Sequence, residues 1–252
     1  MALLRPFLSS AKMLIVLNNA DSILDPQGAN HKEIFAAVDE LCRFRTVCVC
    51  ITSHTTAIPQ CCQTLQIPKL QMEAACNTFY DIYRGGGTPL FICSFIYILD
   101  YHALSITLLA STVCSNAWDQ HRLGDEWYAQ GCAELLWTDC SGGLVAMIEL
   151  SLASLASHEL SPNVRDLLGV VAFFPQGIDE RNLDWLFPTI HGIKGIFEKF
   201  CSLSLTYWSN NFIMMLAPIQ DYFNFQGQQA PSILRATKDR YFTRLSVRPD
   251  PN

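Results

Sequence analysis

Two amides stand side by side in "MLIVLNNADSILD", where the aliphatic run Met13 to Leu17 stops at Asn18 and Asn19, with Asp21 close behind. A short continuous apolar run reads as a buried strand of a parallel sheet. Residues just past the carboxyl end of such a strand line the ligand crevice of open α/β folds. Phosphate-binding enzymes keep a magnesium-holding aspartate there. An amide in that place accepts a hydrogen bond from a metal-bound water but adds no charge to hold the ion. Asn18 and Asn19 therefore admit three readings: a turn that closes a strand, a relic nucleotide site, or a metal site.

The elements that must position these residues follow from hydrophobic spacing. After turn chemistry at Asp25, Pro26, Gly28 and Asn30, the positions Ile34, Val38 and Leu41 recur at helical spacing. A second apolar run, "TVCVCITSH", then ends on Thr52, Ser53 and His54. Strand, helix, strand is the signature of a parallel sheet. "LQIPKL", residues 65–70, reads as a third short strand, and "QMEAACNTFYDIYR" as a helix ending at Gly85, Gly86 and Gly87. "DYHALSITLLAST" and "GLVAMIELSLASL" are apolar around most of their circumference, as buried helices are. The Gly85-Gly86-Gly87 and Ser141-Gly142-Gly143 clusters lack the flanks of a phosphate loop or nucleophile elbow and read as loops. His102 beside Asp100 reads as a helix start, and His54 as a polar loop residue or a site residue.

From 161 to 225 the pattern changes. Ser161 is placed as an N-cap with Pro162 at the first helical position of "VRDLLGVVAFFP", which Pro175 and Gly177 end. Asp179 caps "ERNLDWLFP", "IKGIFEKFCSLSLT" makes a third helix, and "YWSNNFIMML" turns at Ser209-Asn210-Asn211 as a hairpin. Three helices and a hairpin make a winged helix. Arg165, Arg181, Lys194 and Lys199 are outnumbered by acidic residues in this segment, which argues for an intramolecular role rather than DNA binding. "SILRATKDRYFTRLSV" in the tail reads as one last helix.

Composition narrows the classes. The 252 residues are 50% hydrophobic and 16% charged, which excludes a disordered chain, and the net charge of −6 excludes general nucleic-acid binding. The 11 cysteines lack C-x-x-C pairs and histidine spacing, so they read as reduced, mostly buried small hydrophobes of a cytoplasmic protein. Cys48 and Cys50 stand in for valines within a strand, and Cys61-Cys62 precede a short apolar segment. The stretch 88–118 is strongly apolar. A span across Asp100 would bury a carboxylate at roughly 2.5 to 3.5 kcal/mol, so core helices are expected in place of a membrane segment.

The order of these pieces resembles the signal-transducing NTPases with an NB-ARC or NACHT nucleotide-binding module (STAND NTPases), particularly the fungal sets. "MLIVLNNADSIL" resembles a Walker B strand, "VCVCITSH" the sensor strand, "YHALSITLLAS" the segment around the adenine-side proline, and "LLGVVAFFPQGIDERNLDWLFP" through "MLAPIQDYF" the winged helix. The stretches span roughly residues 13 to 225. The resemblance implies an α/β fold: part of a P-loop NTPase parallel sheet with a helical subdomain, followed by an α-helical winged-helix domain. The implied boundaries are 1–86 for the sheet half, 87–157 for the helical subdomain, 158–225 for the winged helix and 226–252 for a tail. It also implies which residues would touch nucleotide: Asn18 and Asn19 near the metal position, Asp21 three residues on, beyond the strand end, Thr52, Ser53 and His54 near the γ-phosphate, and Ala103 near adenine.

The departures are as informative. No lysine follows a glycine, so G-x-x-x-x-G-K-[ST] is absent, which is expected of a chain truncated at its front. Asn18 replaces the magnesium aspartate, His54 the sensor arginine, Ala103 the adenine-side proline, and Leu216-Ala217 a His-Asp pair. The aromatic-rich stretch 84–102 also departs from the polar helix the family implies. The expectation is a degenerate signalling NTPase module that binds ADP or ATP with magnesium weakly at most and does not hydrolyse it. The alternative is a nucleotide-independent interaction module that docks to other protein chains such as full-length relatives, and a third reading is a membrane-associated protein using 88–118.

Overall fold

The computed structural model describes residues 5–18, 20–24, 31–53, 58–85, 89–132, 142–156, 164–174, 176–226, 235–237 and 239–240. They fall into two compact units, Met1–Pro68 and Lys69–Asn252. The fold is mixed α/β.

In the first unit, β-branched and aliphatic residues build two strands, β1 (Met13–Leu17) and β2 (Val47–Ile51). They pair in parallel with Met13 opposite Val47 and Leu17 opposite Ile51. The ladder runs past both ends, since Met13 N donates to Thr46 O at 2.8 Å and Thr52 N donates to Leu17 O at 2.9 Å. Helix α1 (Arg5–Ser10) precedes β1, and the Thr46 hydroxyl donates to the Leu8 carbonyl. Between the strands run α2 (Asp21–Leu24) and α3 (His31–Cys42), and α3 packs on both α2 and β2.

Two expectations fail in this part of the chain. The apolar runs are half-buried on one face and exposed on the other: Leu14 is 63% and Val16 55% exposed, and Cys48 and Cys50 are exposed beside them. With one helix against it, the described sheet covers only alternate side chains. The segment 65–70 is not a strand, and Leu65 and Ile67 are 89% and 87% exposed. No described strand pairs with it, and Pro68 removes a ladder donor.

The second unit is built mainly from helices: α4 (Met72–Ile82), α5 (Pro89–Ile98), α6 (Ala103–Ser115), α7 (Gln120–Ala129), α8 (Gly142–Ala156) and α9 (Val164–Phe173). Helix α6 packs against α4 and α8. It buries Ile106, Leu108, Leu109, Ala110 and Val113 together with Ser105, Ser111 and Thr112. The buried hydroxyls are satisfied: Thr112 Oγ1 lies 2.8 Å from Ser151 Oγ, which itself donates to Met147 O at 2.8 Å. His102 caps α6 by accepting from Ser105 N, as the sequence indicates. Helix α5 belongs to the core through Ile92, Phe95 and Ile96. Gly142 and Gly143, expected in a loop, instead open α8.

After α9 come β3 (Ile178–Asp179), a single 3-10 turn, α10 (Leu183–Leu186), α11 (Ile193–Ser202), β4 (Tyr207–Ser209), β5 (Phe212–Met214) and α12 (Ala217–Gln226). The strands form an antiparallel sheet in the order β3-β5-β4. Asp179 accepts from Arg181 N at 2.9 Å, the cap expected of it. Asn210 and Asn211 both take positive φ, 49° and 67°, as a two-residue hairpin of matching twist requires. At Gly177, φ is 78° and an added Cβ would lie 2.6 Å from the Ile213 carbonyl oxygen, so only glycine fits. Ser161, Pro162 and Pro175 lie outside the described residues, as does most of the expected tail helix.

Candidate functional site

The carboxyl ends of β1 and β2 bring two of the expected residues together. Asn18 follows β1 directly, Thr52 follows β2, and the Thr52 hydroxyl donates to Asn18 Oδ1 at 2.7 Å. The backbone reinforces the pairing, because Ala20 N donates to Thr52 O at 2.9 Å. Asn18 and Thr52 are both exposed and Ser53 is half-buried. Asp21 opens α2. Asn19 and His54 lie outside the described residues. Ala103 opens α6 in the second unit, where its carbonyl accepts from Thr107 Oγ1 at 2.9 Å. Leu216 is exposed and Ala217 begins α12.

Chemically, the strand-end pair is neutral. Asn18 Oδ1 already accepts the Thr52 hydroxyl proton, and neither group carries charge with which to hold a divalent ion. The arrangement can offer amide and hydroxyl hydrogen bonds to a polar ligand. It supplies neither a base nor a nucleophile activated by one.

The first unit also holds a cluster of thiols that sequence spacing did not reveal. Cys42, the last residue of α3, meets Cys61 and Cys62 in the turn after Pro59, with the three Sγ atoms all within 4.8 Å of one another. The sulfurs of Cys61 and Cys62 are 3.8 Å apart. Asp39, one helical turn before Cys42, accepts from Cys61 N at 3.3 Å. Burial, then hydrogen bonds to Cys42 and Asp39, push the Cys61 thiol far up, and burial raises Cys62 as well. The adjacent pair Cys61-Cys62 was the available signal. Its third member lies on another element, which no local pattern announces.

Two further constellations hold the second unit. Glu149 of α8 pairs with Arg165 of α9, and the Tyr222 hydroxyl of α12 donates to Glu149 while accepting from Arg165 Nη1 at 3.2 Å. Burial first, then the bond to Glu149, lifts the Tyr222 phenol to about 12. Cys76 and Cys93, from α4 and α5, place their sulfurs 3.5 Å apart. The described cysteines are free thiols. Of them only Cys132 is fully buried, and Cys48, Cys50, Cys61 and Cys114 are exposed, which corrects their expected role as core hydrophobes.

A scan against protein-family models finds no match, and no curated protein matches the chain. No helix among the described residues is long and apolar enough to cross a membrane.

Proposed function

We propose that this chain is a signalling module of the nucleotide-binding NTPase style that lacks hydrolytic chemistry, with weak ADP or ATP binding at most. The observation that carries the reading is the Asn18–Thr52 hydrogen bond at the carboxyl ends of two adjacent parallel strands, the position where that class keeps its metal and sensor residues. A neutral, mutually bonded pair there suits a module whose nucleotide chemistry is lost. The order helix, strand, helix, helix, strand, strand from α9 to β5, with sheet order β3-β5-β4, supports a winged helix in the second unit.

The test is thermal unfolding with and without millimolar Mg-ADP or Mg-ATP. A ligand that binds only the folded state stabilises by RT ln(1 + [L]/Kd), about 1 kcal/mol at roughly five times Kd. The reading expects a small rise in midpoint that Asn18→Ala and Thr52→Val each remove, and no phosphate release. A rise that both variants retain would place the ligand elsewhere and sink the reading.

A second reading is favoured by the exposed apolar face of Leu14 and Val16 and the bare Leu65 and Ile67. It is an interaction module that adds a strand from another protein chain to the open β1–β2 sheet. Concentration-dependent assembly in sedimentation, indifferent to nucleotide, is its expected signature.

A further inference from the structure

We infer that Cys42, Cys61 and Cys62 form a binding site for one thiophilic divalent cation, zinc being the metal that fits best. Tetrahedral zinc with Zn–S bonds of about 2.3 Å sets its ligand sulfurs about 3.8 Å apart. Cys61 and Cys62 already stand at 3.8 Å, and the third sulfur lies within 4.8 Å of both. Bringing the third sulfur to the same spacing asks at most about 1 Å of movement from Cys42, which is half-buried at the helix end.

The surroundings suit the role. Asp39 fixes the Cys61 backbone by accepting its N–H, and the Cys62 backbone N–H donates to Pro59 O at 3.0 Å, so the turn that presents both thiols is tied down at each residue. Three thiols and the Asp39 carboxylate thus meet at one place in the first unit. On binding, each thiol gives its proton to solvent and its sulfur lone pair to the metal; nothing is oxidised or reduced. Water takes the fourth position, because Cys61 is exposed. A disulfide is the competing use of these sulfurs. It would require a contact of about 2.05 Å, far shorter than the 3.8 Å between Cys61 and Cys62.

The experiment titrates the full, reduced chain with cobalt(II) as a spectroscopic substitute and then with zinc(II). The expected result is one equivalent of cobalt, with sulfur-to-cobalt charge-transfer absorption that zinc abolishes. Cys61→Ser and Cys62→Ser are expected to lose that absorption and to weaken zinc binding by at least the roughly 100-fold that loss of a partner to a metal ligand can reach. Cys48→Ser and Cys114→Ser should change nothing. In the unaltered chain, zinc should shield Cys42, Cys61 and Cys62 from alkylation, read by peptide mass, while Cys48 and Cys50 stay reactive. Absent absorption in the reduced chain, binding that survives the Cys61 and Cys62 variants, or equal alkylation of all these cysteines would overturn the site.

Discussion

Tyr222 shows how a single hydroxyl can tie three helices and give stability a pH dependence. Its phenol is held to about 12 in the folded chain against an ordinary 10. A folded-state pKa raised above the unfolded one gives stability that is complete below pH 10 and lost as pH climbs through 12. Denaturation followed across that range should show a fall that Tyr222→Phe removes. Asp179 works in the opposite direction. The guanidinium and backbone N–H of Arg181 lower its carboxyl to about 2 from 3.8. Its contribution is present above pH 3.8 and disappears as pH falls toward 2, and Arg181→Gln should flatten that acid limb. The sequence identified Asp179 as a cap because it precedes a helical pattern. Nothing local marked Tyr222, since Glu149 and Arg165 reach it from distant helices. The Asn18–Thr52 pair was half legible: each run showed where its strand would end, while their neighbourhood depended on parallel pairing.

Among the elements, the β4–β5 hairpin and the α6–α8 pair carry the sharpest expectations. Asn210 and Asn211 sit in the left-handed region, which costs an ordinary residue about 1 to 2 kcal/mol. Asn210→Val should lower unfolding free energy by that amount in urea titrations, whereas Asn211→Gly should be neutral or slightly stabilising. Thr112→Val removes one partner from Ser151, whose hydroxyl keeps its bond to the Met147 carbonyl, so the expected loss is about 1 kcal/mol. The hairpin was readable because adjacent asparagines tolerate positive φ, and the buried helices because apolar residues surround them. Segment 65–70 misled for the converse reason. Its alternating apolar residues satisfy a strand pattern, but a strand also needs a partner, which lies elsewhere in the chain.

At the scale of the whole molecule, the half-covered sheet of the first unit matters most. Replacing Leu14 and Val16 with lysine, on side chains already in solvent, should leave the unfolding midpoint within about 0.5 kcal/mol of its original stability. The same change should suppress any self-association seen in sedimentation. Uniform aliphatic runs do not reveal how many of their faces find cover, which is why the sequence alone suggested strands buried on both sides. That uniformity also deprives β1 and β2 of the usual alignment signal. When Leu14 and Val16 are as apolar as Met13, Ile15 and Leu17, sliding one strand by a residue exchanges one greasy set for another at little hydrophobic cost. Alignment must then be set at the ends, where the Thr52 hydroxyl meets the Asn18 amide and Ala20 N–H meets the Thr52 carbonyl. The two polar residues thus act as a registration key, and a chain carrying Asn18→Ala should show doubled amide resonances along both strands as shifted and unshifted pairings coexist.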